Sequence, residues 1–185
     1  MNQPLATATT LAMLCLATAA QAQAPAVAGA PASPWAEFAP ILGDFDQRGG
    51  GEPGEATGWT TFTADLQGQV LVRRTHTAFA ATSARPSTSH DDLLIVYRAE
   101  NGLRADYFDG QGKLVRYTVS PMSSMQKITF LSEPGPGPRF RITYDWSGGP
   151  LEISFDVAHT TTPDQFRNHA RVIATRRRTV ASPGR

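Results

Sequence analysis

The sequence predicts an all-β fold: a single antiparallel up-and-down barrel of about nine or ten strands, opened by a short helix and with another short helix before the last strand. Three observations carry this expectation. From about residue 56 onward apolar residues recur at every second position, the period of strands that bury one face. The breaks between these runs are short and rich in Gly, Pro, Asn, Asp and Ser, so consecutive strands pair as hairpins. No helical pattern long enough for a parallel crossover separates any two of them. A meander of this length leaves two unpaired edges unless it closes on itself.

The elements follow in chain order. In "SPWAEFAPILG" Ser33 suits an N-cap, Pro34 the first helical position and Glu37 the positive end of the helix dipole. Trp35, Phe38 and Leu42 fall on one side, and Pro40 limits the segment to one or two turns that plug or lid the core. The following "GGGEPG" reads as a flexible bend entering the first long strand. Gly49, Gly51 and Gly54 match the spacing G-x-G-x-x-G, but Glu52, Pro53 and Glu55 would repel or block an anion. The parallel strand and helix that a dinucleotide site requires are also missing. Strands are expected at 56–64, 69–79, 92–99, 103–109, 113–120 and 126–132.

The hairpin "FRITYDW"–"SGGP"–"LEISFDV" is the clearest pair, with Phe140, Ile142, Tyr144 and Trp146 facing the same side as Leu151, Ile153, Phe155 and Val157. "TPDQFRNHA" suggests the second short helix at 163–170, and the last strand runs over 170–179.

In "LRADYFDGQGKLVRYTV" two aspartates flank a glycine-rich centre. Register decides between an acidic metal loop and a turn. With a three-residue loop, Gly110 to Gly112, the pairs Leu103/Val119, Ala105/Tyr117 and Tyr107/Val115 share one face and Asp106 stands opposite Arg116. Gly112 then supplies the left-handed residue and Asp109 bonds its own backbone. A calcium loop needs several alternating oxygen ligands and a closing Glu, which Lys113 and Leu114 replace, so no metal is expected.

The chain ends are of another kind. Thr10 to Ala20 is an uncharged apolar run followed by small-x-small sites, the pattern of a cleaved secretory leader over residues 1–22. Residues 23–34 read as a Pro/Ala-rich tether, 35–178 as the barrel and 179–185 as a disordered tail. Such a protein is expected in the periplasm or outside the cell. Cys15, inside the leader, is the single cysteine, so the mature chain has no thiol for a disulfide, a metal or a nucleophile. Seventeen basic residues stand against 16 acidic ones, with no broad basic face for nucleic acid and no apolar stretch long enough for a membrane span. No feature specifies an oligomeric state.

The short helix leading into "LGDFDQRGGG", the unit "VYRAENGLRADYFDGQGKLVRYTV" with its pattern YxxxxGLxxxYFDxxG, and the Arg-rich final strand together resemble the lipocalin-like (calycin) barrels, closest to bacterial secreted families of unknown function. The resemblance covers about Trp35 to Arg178. Gly43-Asp44-Phe45 stands where lipocalins carry Gly-x-Trp, with Phe in place of Trp. What the resemblance implies is a barrel that holds a small apolar or amphipathic molecule. It implies no particular reaction.

Candidate ligand-binding residues follow from strand parity. Tyr107, Tyr117 and Tyr144 share the apolar faces of their strands, while Tyr97 keeps company with Leu93 and Ile95. Buried hydroxyls need partners, supplied by one another or by a ligand. Arg74 and His76 share parity with Val70 and Val72, and an inward Arg would suit an anionic head group. The other face of that strand, Leu71, Arg73, Thr75, Thr77 and Phe79, is nearly as apolar. Arg176, in step with Val172 and Ala174, is the third candidate cation. No catalytic residue and no cofactor is assigned. His159 and His169 are not fixed opposite a haem-sized pocket. Two rival readings remain: an isomerase- or hydrolase-type enzyme using His76, His90, Asp91 or Asp92 as acid or base, and a structural envelope protein with a filled core.

Overall fold

The computed structural model describes residues 33–51 and 54–178. The expected leader, the tether before Ser33 and the tail 179–185 lie outside the described residues. A 3-10 helix, Ala36–Ile41, leads into ten strands. They are β1 Gly43–Gly51, β2 Gly54–Asp65, β3 Val70–Phe79, β4 Thr88–Ala99, β5 Gly102–Asp109, β6 Leu114–Met122, β7 Lys127–Ser132, β8 Arg139–Asp145, β9 Leu151–Ala158 and β10 Arg167–Arg176. Each is antiparallel to the next, and β1 pairs with β10 to close the barrel.

The β5–β6 hairpin has the register the side chains demand, with Ala105 opposite Tyr117, Tyr107 opposite Val115 and Asp106 opposite Arg116. Gly112 carries φ +80°, and the Asp109 carboxylate accepts the amides of Gln111 (2.9 Å) and Lys113 (2.8 Å). In β8 and β9 the expected faces also hold: Tyr144 pairs with Ile153, and Ile142 with Phe155.

Two expectations are corrected. The segment expected as a second helix makes successive turns instead, with the Thr162 amide bonded to the His159 carbonyl and that of Gln165 to Thr162, both at 3.0 Å. From Arg167 onward the chain is strand, because β9 and β1 both need a partner there to complete the barrel. The local helical signal loses to that closure. Second, Gly49–Gly51 form the end of β1 rather than a bend. Glycines are poor strand formers, but this site admits nothing larger. A Cβ at Gly49 would lie 2.2 Å from the Arg171 carbonyl oxygen of β10. Gly49→Ala is therefore expected to lower stability by about 1–3 kcal/mol through overpacking at the seam. Urea unfolding checks this, and an unchanged midpoint contradicts it.

One end of the barrel is filled. Trp35, Phe38 and Ile41 of the helical segment are buried against Phe45, Phe62, Leu71, Val96, Ile128 and Phe130. Ser33 Oγ accepts the Trp35 amide at 3.2 Å, and Trp35 Nε1 donates to the Gly68 carbonyl at 2.8 Å. Arg98 lies over the Trp35 ring, 5.1 Å from its centroid, and donates to Glu37 (3.2 Å) and to the Pro34 carbonyl. From the last strand, Arg176 donates to the carbonyls of Leu42 (2.6 Å) and Pro40 (3.1 Å), with its guanidinium 4.6 Å from the Phe45 ring centroid. Arg176 thus clasps the plug at the closed end. The expectation that it reaches a ligand is corrected on that ground, since its donors are taken by the helix carbonyls.

Candidate functional site

The other half of the barrel is hollow. A cavity of about 510 Å³ lies between the strands, lined from every strand but β7. Its walls are apolar and largely aromatic. Phe140 and Phe155 stack at 5.7 Å and 16°, and His169 meets Phe155 edge-on at 5.8 Å. Phe79, Val115, Ile142, Ile153 and Val172 complete the surface. Near the mouth Lys113 Nζ stands 5.2 Å from the Phe140 ring centroid.

Polar groups gather in the same cavity, and strand alternation puts them there. On β3 the inward residues are Leu71, Arg73 and Thr75, all buried, continuing to Thr77 and Phe79. On β4 they are His90, Asp92, Leu94 and Val96, the last two fully buried. Arg73, 5% exposed, donates through Nη1 to the Tyr144 hydroxyl at 2.8 Å and through Nη2 to Asp92 Oδ1. Its Nε is buried with no hydrogen-bond partner among the described residues. The His90 ring nitrogen Nε2 and the Tyr107 hydroxyl are 3.2 Å apart, and the same nitrogen is 3.8 Å from Asp92 Oδ2. Tyr117, 2% exposed, packs edge-on to Tyr107 and to Phe130 (6.3 and 6.5 Å). Its hydroxyl has no hydrogen-bond partner among the described residues.

Electrostatics hold these groups in fixed forms. Burial works against the Arg73 charge, but Asp92 and the tyrosine oxygens outweigh it and keep the guanidinium protonated well above the usual range. Burial raises the phenols of Tyr107, Tyr117 and Tyr144; Asp92 pushes the same way, and the Arg73 charge only partly offsets them. All three remain neutral hydrogen-bond donors near neutral pH.

The sequence-derived candidates separate cleanly. Tyr107, Tyr117 and Tyr144 converge on the cavity. Tyr97 is on the outer face, 3.4 Å from Asp106. Arg74 and His76 also face outward, which corrects the expected inward pair. His76 stacks on Trp59 (6.2 Å, 21°) and bonds Asp91 at 2.8 Å. The physical reason is the alternation of β3: Leu71, fully buried, fixes its own face inward and carries Arg73 with it. Sequence reasoning did not single out Arg73 for the site, and it raised Asp92 only as an acid–base candidate of the enzyme reading. Both were marked by parity, Arg73 with Leu71 and Phe79, Asp92 with Leu94 and Val96. Of the four acid–base candidates, His90 and Asp92 reach the cavity while His76 and Asp91 form their own pair outside it.

No protein-family model matches the chain, and none of the curated proteins matches it.

Proposed function

We propose that this chain is an exported, lipocalin-like binding protein that carries a small amphipathic molecule in the hollow half of its barrel. The single observation that supports this best is the cavity itself: about 510 Å³, within the ~300–1,000 Å³ of small-molecule sites, with apolar walls and a few convergent polar groups. A structural protein with a solid core has no use for such a space. The export half of the reading rests on the leader-like residues 1–22 and agrees with a thiol-free mature chain.

The enzyme reading is weaker on geometry. His90 and Asp92 stand 3.8 Å apart, and Asp92 is engaged by Arg73. The tyrosines, meanwhile, are held as neutral phenols. A binding role uses every one of these groups as it stands. Among the described residues no helix is long and apolar enough to cross a membrane.

Native mass spectrometry of the gently purified protein, with solvent extraction, should show a small-molecule adduct of a size that the cavity admits. Titration with a fluorescent naphthalene probe locates the site. Thr77→Trp, which fills the cavity from β3, should weaken the probe by about tenfold or more. A clean chain mass together with no probe binding, or a probe indifferent to Thr77→Trp, would overturn the reading.

A further inference from the structure

We infer that the cavity selects an uncharged ligand presenting a carbonyl-type oxygen to the Arg73–Tyr117–Tyr144 cluster, and discriminates against the matching carboxylate. This deepens the binding reading and rests on it.

Free donors outnumber free acceptors in this cluster. Tyr144 accepts from Arg73, so its own proton points elsewhere, and no acceptor for it exists among the described residues. The Tyr117 hydroxyl, on the cavity wall, is likewise unpartnered there, whereas the Arg73 Nε–H is buried away from the cavity and takes no part in the count. Against these two hydroxyl donors the cluster holds one carboxylate, Asp92, whose Oδ1 is already taken by Arg73. Two phenol donors that face an apolar-walled cavity without an acceptor call for one on the ligand.

Charge decides which acceptor. A lone inward arginine would draw an anion, but Asp92 neutralises this one at contact distance. A carboxylate entering the cavity would be stripped of water and would gain no net opposite charge, because Asp92 and Asp109 offset Arg73 and Lys113 on the lining. A ketone, aldehyde, quinone or ester oxygen offers two lone pairs, one for each tyrosine hydroxyl, and brings no charge to desolvate. Burial keeps the phenols protonated, so they retain the protons this requires. The stacked Phe140 and Phe155 rings favour a flat body behind that oxygen.

Three naphthalenes of one shape test this: 2-acetylnaphthalene, 2-isopropenylnaphthalene, in which CH₂ replaces the oxygen, and 2-naphthoate. Calorimetric or fluorescence titration of the full chain should find the ketone about tenfold tighter than the alkene, a difference of about 1.4 kcal/mol, and at least as far ahead of the carboxylate. Tyr117→Phe should reduce the ketone's advantage and leave the alkene unchanged. Equal binding of ketone and alkene overturns the inference, as does naphthoate binding tightest; in both cases the binding function stands. If none of the three binds, the inference falls, and a clean chain mass beside that result removes the binding reading as well. The wild-type series decides the matter even if the variant misfolds.

Discussion

Asp92→Ala is expected to destabilise the barrel by about 3–5 kcal/mol, the cost of leaving a buried charge without its partner. Arg73 is 5% exposed and cannot shed its proton to escape. Tyr144 remains beside it but offers only a neutral oxygen. The companion double variant Arg73→Met/Asp92→Leu should recover most of that loss or exceed the wild type, since a buried ion pair and a packed apolar pair of similar volume are nearly equivalent in stability. Urea unfolding of the single and double variants checks both parts. A single variant costing less than about 1 kcal/mol would show the guanidinium to be hydrated from the cavity. If the double variant is stable, it should show a reduced preference for the ketone probe, because the Tyr144 hydroxyl has lost the donor that turns its proton away from Arg73.

Phe38→Ala should be comparably severe, at about 3–5 kcal/mol. Its side chain is fully buried in the plug and meets Trp35 edge-on at 5.6 Å. The surrounding wall is made of paired strands, which cannot collapse into the space as a loose loop would. Differential scanning calorimetry should show a lowered transition, while the probe bound in the hollow half keeps its affinity at temperatures where the variant is folded. A loss confined to probe affinity would mean that the plug shapes the cavity more than it supports the barrel.

The fold was legible because strand alternation is written into nearly every segment. Leu71, Leu94, Val96, Ile142 and Ile153 each fix a face, and the turns between them are short. Two places were not legible for one shared reason. β1 and β10 owe their structure to each other, so neither the glycines 49–51 nor residues 167–170 carry a local strand signal that outweighs their composition. The site was half legible. The three cavity tyrosines followed from parity, but on β3 both faces hold apolar residues and an arginine. Only burial of Leu71 by strands far away in sequence selects Arg73 over Arg74. Arg176 is the opposite case: its inward parity was readable, but its partners are helix carbonyls across the whole length of the domain.

That clasp has a consequence for how the chain reaches its native state. The Arg176 bond to Leu42 spans 134 residues, and the whole β1–β10 ladder joins segments similarly far apart. Eight hairpins from β1 to β9 can form from neighbours, but the ring cannot shut until the final strand is present. Loop closure of that length is costly before any contact repays it, so the late step is slow. Until then β1 and β9 expose bare edges open to other chains. A chain cut short before Arg167 should accordingly associate rather than fold, and the intact one should refold best when dilute.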